Sequence, residues 1–456
     1  MRLIIVITAL ILTSFPVLAE KKFNKNQHLE LAYYVKNKIY QVCEVQQDYR
    51  LFHEAYDDGN TRPTNVATIN LFKGKYIGVT KSNWGDFKQY VNNGAIWPER
   101  DIHQQDGTLN DKMRHSPVFE KKTYSELLNC QKNKVKRTKI KFPTWNLFTQ
   151  NDLYNGLQDN EKINGFGYLE VPKYKHCKSI KKLPVMFLIH HSGGRIFPSY
   201  KWQLHQMCVA TFEPYIYRSR GYEMQNFNDE AEIQWITETQ GAVDALQALD
   251  VIAELPNIDA DRIGIMGWSY GGVVTVETQN MFNIKALNTK NRFALHIAYY
   301  PYCYHYDDVE TTDGAMVIMK GDQDTISYSQ CKEWIEKIST DDNHKKQIIF
   351  KGVTHNFDSD SIEVGGVASV GPECRIHTDA HGNETVRPNN KDDWFDLTQN
   401  GGWFGNKGDS VALQKAKKLC WDTEQAVYTP DMDAYNESQV IFLDYVNKYL
   451  GGNNDK

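Results

Sequence analysis

The chain has 456 residues, of which 41% are hydrophobic, so it is long enough to bury a large core. Its formal net charge of −5 gives no indication of nucleic-acid binding. Beyond the first residues, no apolar run approaches the roughly 18 residues of a membrane-spanning helix, so we expect no membrane span.

The N-terminus has the layout of a secretory signal. Arg2 precedes an apolar run from Leu3 to Leu12, and the stretch ends at the small residue Ala19. This pattern predicts a signal peptide at residues 1–19, because the run is too short to span a membrane comfortably. The alternative is an uncleaved anchor. We therefore expect an exported protein, either periplasmic or secreted.

Residues 20–141 contain no catalytic pattern and predict an N-terminal accessory region. Apolar residues at helical spacing predict a helix over His28–Val45. Val66–Phe72 and Tyr76–Thr80 predict a hairpin. The basic run Lys132–Lys141 predicts a solvated linker.

All eight cysteines follow the predicted signal. An even number in an exported chain indicates disulfide bonds, and their wide spacing without a CxxC motif argues against a zinc site. The sequence does not determine the connectivity. The simplest hypothesis pairs neighbours in order, and the alternative is that some are free buried thiols. The hypothetical pairs are Cys43–Cys130, Cys177–Cys208, Cys303–Cys331 and Cys374–Cys420.

From residue 142 to residue 456, strands alternate with helices, which predicts an α/β domain with a mostly parallel sheet wrapped by helices. A segment rich in Gly, Asn and Asp, Asp358–Pro430, interrupts this pattern before the last helix and predicts a long surface excursion. The predicted strands are Gly165–Val171, Val185–Ile189, Val209–Pro214, Arg262–Met266, Phe293–Tyr299, Ala315–Met319 and Gln347–Phe350. The predicted helices are Glu232–Leu255, one after Ser269, Gln330–Ile338 and Ser438–Tyr449.

The stretch GWSYGG, residues 267–272, follows a predicted strand and precedes a predicted helix. A G-x-S-x-G pattern at such a turn is the nucleophile elbow, which lifts the serine hydroxyl out of the sheet. The flanking glycines are needed because side chains there would collide with the strand and the helix. The pattern predicts Ser269 as a nucleophile, and the alternative is a glycine-rich connection without function.

A serine nucleophile needs a base that is held by a carboxylate, and this fold places the acid after the serine and the histidine last. The strand Ala315–Lys320 leads into the loop GDQDT. A carboxylate after a parallel strand lies at the active edge of the sheet. Asp324 is therefore the predicted acid and Asp322 the reserve, the alternative for Asp324 being a helix cap or turn residue.

The predicted base is His355, in the loop after the strand Gln347–Phe350. The alternative is a loop histidine without function. Three placements, each at the carboxyl end of a strand and in the expected chain order, support one catalytic triad.

A tetrahedral intermediate also needs backbone N–H donors. One is predicted to be the amide of Tyr270, directly after the nucleophile. The loop HHSGGR after Val185–Ile189 supplies the second, with the amides of His191 and Ser192 as candidates. The alternative is a plain connection, since Gly-Gly pairs are common in turns.

Five stretches of the chain resemble, in their order and spacing, the dienelactone hydrolase family of α/β-hydrolases. They are HHSGG, RSRG, DADRIGIMGWSYGG, GDQDT and GVTHNFD. The resemblance covers roughly residues 142–450 and implies an α/β-hydrolase fold. It gives Ser269, Asp324 and His355 the triad roles and makes Tyr270 an oxyanion donor. The namesake enzymes use a cysteine nucleophile, so the serine here suggests an esterase-like relative. Their first loop usually reads His-Gly, and here His191 replaces that glycine.

Trp268 and Arg218 are the candidate substrate contacts. Trp268 either packs under the elbow or walls the acyl pocket. Arg218 follows a strand at the active edge, where it or Arg220 could bind an acidic group, the alternative being an ordinary salt bridge. His377 and His381 do not predict a metal site, since no helix or matching carboxylate set accompanies them.

The sequence therefore predicts an exported serine hydrolase that cleaves small-molecule or polymeric esters through an acyl-enzyme, with no cofactor and no metal. Two alternatives stay open. A prolyl-oligopeptidase-like serine peptidase shares the elbow, but its N-terminal domain is far larger than the stretch before residue 142. A non-catalytic binding protein could also use this fold. The substrate and the oligomeric state do not follow from the sequence.

Overall fold

A computed structural model describes most of the chain from residue 134 onwards and separate strands before it. The predicted signal peptide lies outside the described residues. No helix in this part of the chain combines the length and apolar character that crossing a membrane requires. The described residues are 39–45, 49–56, 63–71, 76–80, 128–132, 134–194, 196–222, 236–303, 305–306, 310–324, 326, 329–339, 344–358, 363–366, 369–370, 374–388, 394–397, 411–422, 425–428 and 431–451.

Two small antiparallel sheets precede residue 133. Their strands are β1 (Ile39–Val45), β2 (Tyr49–Tyr56), β3 (Pro63–Leu71), β4 (Tyr76–Thr80) and β5 (Leu128–Lys132). One sheet has the order β4-β1-β5, and the other pairs β2 with β3.

Two predictions for this region are wrong. The second half of the predicted helix over His28–Val45 is strand β1, whose β-branched and aromatic residues suit a strand paired on both sides. The predicted hairpin has both strands but the wrong partners, since β3 pairs with β2 and β4 pairs with β1. Residues 28–38 lie outside the described part of the chain.

An eight-stranded sheet forms the centre of the molecule. Its strands are β6 (Val135–Asn146), β7 (Glu161–Pro172), β8 (Leu183–Ile189), β9 (Ala210–Pro214), β10 (Ile258–Trp268), β11 (Leu295–Tyr299), β13 (Ala315–Gly321) and β14 (Lys345–Phe350), while β12 (His305–Tyr306) belongs to another sheet. The order is β14-β13-β11-β10-β8-β9-β7-β6. The first six strands in this order run parallel, and β7 and β6 are antiparallel at one edge. The predicted α/β class with a mostly parallel sheet is thereby confirmed.

The inner strands are apolar throughout because helices cover both faces of the sheet. Every residue of β8 is buried. Val185, Phe187 and Ile189 pack into one hydrophobic cluster, whereas Met186 and Leu188 pack into a second. Successive side chains of a strand point to opposite faces, so the sheet lies between two cores.

The helices are α1 (Gln150–Gly156), α2 (Pro198–Gln206), α3 (Ile216–Ser219), α4 (Glu238–Ala253), α5 (Tyr270–Glu277), α6 (Met281–Leu287), α7 (Ser329–Ile338), α8 (Val411–Cys420) and α9 (Met432–Tyr449), with 3₁₀ turns at Leu157–Asp159 and Lys175–Cys177. Helix α4 begins six residues later than predicted because Thr237 caps it. The Thr237 side chain accepts a hydrogen bond from the Gln240 amide, and the Gln240 side chain accepts one from the Thr237 amide.

Strand β6 lies across the predicted boundary between the accessory region and the α/β domain. Most of the basic run Lys132–Lys141, predicted as a linker, belongs to β6, so the sheet begins at Val135. The strand lies at the edge of the sheet, and Lys139 and Lys141 are exposed. Exposed lysines on an edge strand oppose pairing with other chains. The predicted boundary between residues 141 and 142 therefore falls inside a strand.

The segment Asp358–Pro430 is not only a surface excursion. Its strands are β15 (Glu363–Gly366), β16 (Ser369–Val370), β17 (Cys374–Thr378), β18 (Glu384–Pro388), β19 (Phe395–Asp396), β20 (Trp421–Asp422) and β21 (Gln425–Tyr428). A four-stranded sheet has the order β12-β17-β18-β19. Ile376, Val386 and Leu397 are fully buried in one cluster with Val273 of α5. The segment thus completes the core on the outer side of α5.

Three of the four hypothetical cysteine pairs are disulfide-bonded in the structure. They are Cys177–Cys208, Cys303–Cys331 and Cys374–Cys420. In a chain-entropy model, bonds that close loops of this size each stabilise a fold by about 3–4 kcal/mol. The second bond ties the loop after β11 to α7, and the third ties β17 to α8. Both therefore stabilise the inserted segment and its surroundings.

Candidate active site

Ser269 occupies a strained turn between β10 and α5. Its backbone φ of 51° lies in the left-handed region, which a residue with a Cβ adopts only under constraint. Its amide donates a hydrogen bond to the Tyr299 carbonyl at 2.9 Å, and its carbonyl accepts one from the Val273 amide at 3.0 Å. The turn is thus held from the neighbouring strand and from its own helix.

The glycines beside Ser269 are explained by direct contact. A Cβ on Gly267 would lie 2.2 Å from the Gly271 carbonyl oxygen, and a Cβ on Gly271 would lie 2.3 Å from the Ile189 carbonyl oxygen. Either distance is far below van der Waals contact. The sharp turn therefore requires glycine at both positions, and it brings the first turn of α5 against the end of β8.

The structure places Ser269, His355 and Asp324 in a continuous chain of hydrogen bonds. His355 Nε2 lies 3.0 Å from Ser269 Oγ, and His355 Nδ1 lies 3.0 Å from both carboxylate oxygens of Asp324. A carboxylate can only accept, so Nδ1 carries the ring proton and Nε2 is available to accept the serine proton. These three side chains come from loops at the carboxyl ends of β10, β14 and β13.

The side chain of Asp324 is fully buried and has a second charged neighbour. Burial opposes its ionisation, but His355 and Lys320 outweigh that effect and hold the pKa of Asp324 below its usual value. Lys320 Nζ lies 3.3 Å from Asp324 Oδ2 and donates to the Pro301 carbonyl at 2.8 Å. Asp324 is thereby kept ionised. The reserve acid Asp322 instead accepts a hydrogen bond from the Gly352 amide.

The loop after β8 is closed on itself by His191. The Gly193 amide donates to His191 Nδ1 at 3.0 Å, and the Gly194 amide donates to the His191 carbonyl at 2.7 Å. The exposed Ser192 forms the tip, and its carbonyl accepts a hydrogen bond from the Tyr217 hydroxyl at 3.0 Å. The first turn of α5 abuts the start of this loop, since a Cβ on Gly271 would lie 2.6 Å from the His190 carbonyl oxygen.

His190 supports the loop from beneath. Its ring is buried and stacks on the Tyr270 ring with centroids 5.6 Å apart. Burial lowers the pKa of His190 to about 4, so the ring is neutral at ordinary pH. Its Nδ1 lies 2.8 Å from the His191 carbonyl and must donate to it. The loop conformation is therefore set by two neighbouring histidines.

Residues 178–383 match the dienelactone hydrolase family model. Over this segment the chain is dienelactone hydrolase-like. The segment holds β8 to β14 and all three residues of the hydrogen-bonded chain. The matched segment therefore has the sequence characteristics of a hydrolase family. The chain matches none of the curated proteins compared with it.

Solved structures of dienelactone hydrolases, esterases and peptidases are similar to this chain. A putative dienelactone hydrolase from Klebsiella pneumoniae has 14% identity and a TM-score of 0.32, with 48% of this chain and 89% of that chain covered. An esterase from Thermogutta terrifontis has 12% identity and a TM-score of 0.32, covering 43% and 79%. An acylaminoacyl peptidase from Pyrococcus horikoshii has 15% identity and a TM-score of 0.34, covering 49% and 38%.

The two predicted substrate contacts, Trp268 and Arg218, differ in their exposure. Trp268 is fully buried beneath the elbow, where it packs against Phe197 and Tyr200. Its complete burial agrees with the first alternative, packing under the elbow, and leaves no accessible face for an acyl group. Arg218 is half-buried, with its guanidinium 5.6 Å from the centre of the Tyr215 ring.

Arg220, the other arginine considered, is a structural residue. Its guanidinium forms two hydrogen bonds to the buried carboxylate of Asp244, at 2.8 and 2.9 Å, and a third to the Trp145 carbonyl. With both terminal nitrogens engaged in this way, the guanidinium has no pair of N–H donors left for another anion. Arg220 therefore does not serve as the anion-binding group that the sequence suggested.

Sequence reasoning missed two buried charged residues near the site. Lys320 lies four residues before Asp324, at the end of the strand AMVIMK, and a lysine in that apolar run was the only signal available. Asp358 lies three residues after His355, and its carboxylate is buried beneath the elbow. No local pattern distinguishes it from a loop aspartate.

Proposed function

We propose that the protein is a serine hydrolase that cleaves carboxylic esters through an acyl-enzyme. The observation that carries this proposal is the hydrogen-bonded chain from Ser269 through His355 to Asp324, on an elbow that needs its glycines. A serine on a strained turn, an imidazole whose Nε2 faces the serine hydroxyl and an ionised buried carboxylate are the parts that nucleophilic acyl transfer requires. The dienelactone hydrolase-like segment supports the same chemistry.

In the proposed reaction, Ser269 Oγ attacks the ester carbonyl while His355 Nε2 takes the hydroxyl proton. Asp324 holds the imidazole in the tautomer that accepts at Nε2 and stabilises the imidazolium that forms. His355 then gives its proton to the leaving alkoxide, and an acyl-enzyme remains. A water molecule, deprotonated by His355, then attacks the acyl carbonyl. The bond between the acyl group and Ser269 Oγ breaks, the carboxylic acid leaves, and the imidazolium returns the proton taken from water to Ser269 Oγ.

We further propose that the developing oxyanion is bound by the Tyr270 amide and by an amide of the loop after β8. Support comes from the packing of the first α5 turn against that loop. His191 and Ser192 are the predicted second donors, and the amides of Gly193 and Gly194 donate to His191. Each such donor can contribute roughly 2.7–4 kcal/mol to the lowering of the barrier.

We also propose that the protein is exported. Support comes from the N-terminal pattern of residues 1–19 and from three disulfides, which persist in oxidising compartments. In this proposal, residues 20–133 form an accessory region and the hydrolase domain begins with β6 at Val135.

The ester assignment can be separated from the peptidase alternative with a matched pair of substrates. We expect p-nitrophenyl butyrate to be cleaved much faster than butyryl p-nitroanilide, which has the same acyl group. Comparable or faster cleavage of the anilide would favour a peptidase. Background rates on a broad panel of acyl esters would favour a binding protein. Ser269→Ala is the control for hydrolysis that does not involve the site.

A further inference from the structure

The carboxylate of Asp358 joins three elements that surround the proposed triad. Its Oδ2 accepts hydrogen bonds from the Tyr200 hydroxyl of α2 at 2.6 Å and from Trp268 Nε1 of β10 at 3.1 Å. Its Oδ1 accepts one from the Tyr300 hydroxyl, just beyond β11, at 2.7 Å. Asp358 is 1% exposed, so this is an interior site.

Each partner adjoins a group of the proposed triad. Trp268 directly precedes Ser269 in the chain. The Tyr300 ring lies 4.5 Å from the His355 ring, centre to centre. Asp358 itself lies three residues after His355 in the same loop. One carboxylate therefore fixes the nucleophile turn and the base loop relative to each other.

The backbone around this carboxylate is strained. Tyr300 has a φ of 40° and Asn356, next to His355, has a φ of 59°. Residues with a Cβ adopt this region at a cost, and surrounding contacts must hold them there. The Tyr300 side chain, bonded to Asp358 and packed on His355, is such a contact.

Burying a charge costs free energy unless the charge is well hydrogen-bonded, whereas an apolar side chain at this position would not have that cost. Removing the carboxylate would take this acceptor from the buried Tyr200 hydroxyl and Trp268 indole, while the Tyr300 hydroxyl would keep Asn356 Oδ1 at 3.1 Å. The arrangement is thus specific for a carboxylate with two accepting oxygens.

We infer that Asp358 is a positioning residue that holds the His355 loop in register with the Ser269 turn. The inference rests on the proposed function for its kinetic consequence. It acts through Trp268 and Tyr300, and it does not contact the substrate. Loss of this register moves the imidazole away from the serine hydroxyl, and a displacement of about 1 Å can cost roughly a hundredfold in rate.

The test compares Asp358→Asn with Asp244→Asn. Asp244 is an equally buried carboxylate, bonded to Arg220 and Thr144. Both variants should lower the melting temperature. Only Asp358→Asn should lower kcat for an ester and the rate of fluorophosphonate labelling, by about tenfold to a hundredfold, with KM nearly unchanged. Equal kcat values in Asp358→Asn and the wild type would overturn the inference.

A milder variant covers the case in which Asp358→Asn does not fold. Tyr300→Phe keeps the ring against His355 and removes the hydroxyl that donates to Asp358 and, at 3.1 Å, to Asn356 Oδ1. It should lower kcat in the same direction, and its effect should not add to that of Asp358→Asn. Additive effects, or no effect, would contradict the inference.

A second readout does not depend on hydrolysis. The imidazole resonance of His355 in an NMR spectrum can be assigned from its loss in His355→Gln. It should shift or broaden in Asp358→Asn and stay in place in Asp244→Asn. If the wild type is inert to esters and phosphonates, the proposed function fails while this measurement still decides the positioning role. An unchanged resonance in Asp358→Asn would overturn that role.

Discussion

At the scale of single residues, buried ionisable groups surround the site and differ in what they do. Lys320 and His355 keep Asp324 ionised, whereas Glu238 is held in the neutral form. Glu238 is the first residue of α4 and is almost fully buried. Burial raises the pKa of Glu238 to about 8, with smaller contributions from Glu384 and Glu277.

This shift predicts a pH-dependent effect of Glu238→Gln on stability. The pKa is about 8 in the folded protein and 4.5 for an ordinary glutamate. Between these values the folded state keeps a proton that the unfolded chain has released, so the stability of the wild type falls as pH rises through this window. Glu238→Gln should therefore raise the melting temperature at pH 8 and change it little at pH 5.

The control is Glu254→Gln, which removes the same charge at an exposed position directly after α4. It should leave the melting temperature unchanged at both pH values. A Glu238→Gln effect of equal size at pH 5 and pH 8 would contradict the neutral form of this carboxylic acid.

At the scale of elements, strand β10, the Ser269 turn and helix α5 form the unit that presents Ser269. The glycines on both sides of the serine leave no space for a side chain. The close approach also explains why α5 begins directly at Tyr270, with its first turn against the end of β8. The geometry of the turn is thus determined by backbone contact.

Gly267→Ala tests this contact. Its added Cβ would fall 2.2 Å from a backbone oxygen that cannot move independently. We expect a loss of about 1–3 kcal/mol in the free energy of unfolding, as for other overpacked sites. Gly156→Ala is the matched control, because its Cβ would meet nothing nearer than 3.8 Å. Denaturant unfolding that gives equal values for the two variants would contradict the explanation.

Some of the strands could be predicted from the sequence and others could not. The buried strands β8, β10 and β13 were predictable because continuous apolar runs between turn residues have few alternatives. Strand β6 was not, because its alternating lysines reflect an exposed sheet edge and resemble a linker. Strand β1 was mistaken for a helix, since its short apolar pattern fits both periods. The core contribution of β17 and β18 depends on long-range packing that no local pattern contains.

The triad residues were predictable for a different reason. Ser269 lies in a motif whose spacing has a physical cause, and the order of acid and base then restricts the choice to a few loop residues. Lys320 and Asp358 have no such restriction. Their positions follow from how β11, β13 and the His355 loop pack, which a single sequence does not reveal.

At the scale of the whole molecule, three disulfides lie between residues 177 and 420, and a fourth is predicted nearer the N-terminus. Strands β1 and β5 pair in a register that puts Cys43 opposite Cys130. Directly opposed residues of antiparallel strands have Cα atoms within the range that a disulfide spans. This register supports the predicted pair.

Peptide mapping without reduction tests the pair. We expect one cross-linked fragment that contains Cys43 and Cys130, beside those of the three other disulfides. Alkylation of either cysteine in the unreduced, denatured protein, or a fragment that joins one of them to a third cysteine, would contradict the predicted pairing. The protein for this experiment should come from an oxidising compartment, since a cytosolic preparation would leave thiols reduced.

The most direct test of the proposed chemistry is the site of covalent labelling by a fluorophosphonate. We expect the wild type to gain one phosphonyl group per chain, located on Ser269 by peptide mass spectrometry, and to lose esterase activity in parallel. Ser269→Ala should keep its fold and gain no label. Failure of the folded wild type to label, or a label and ester hydrolysis retained in Ser269→Ala, would contradict the assignment of Ser269 as the nucleophile.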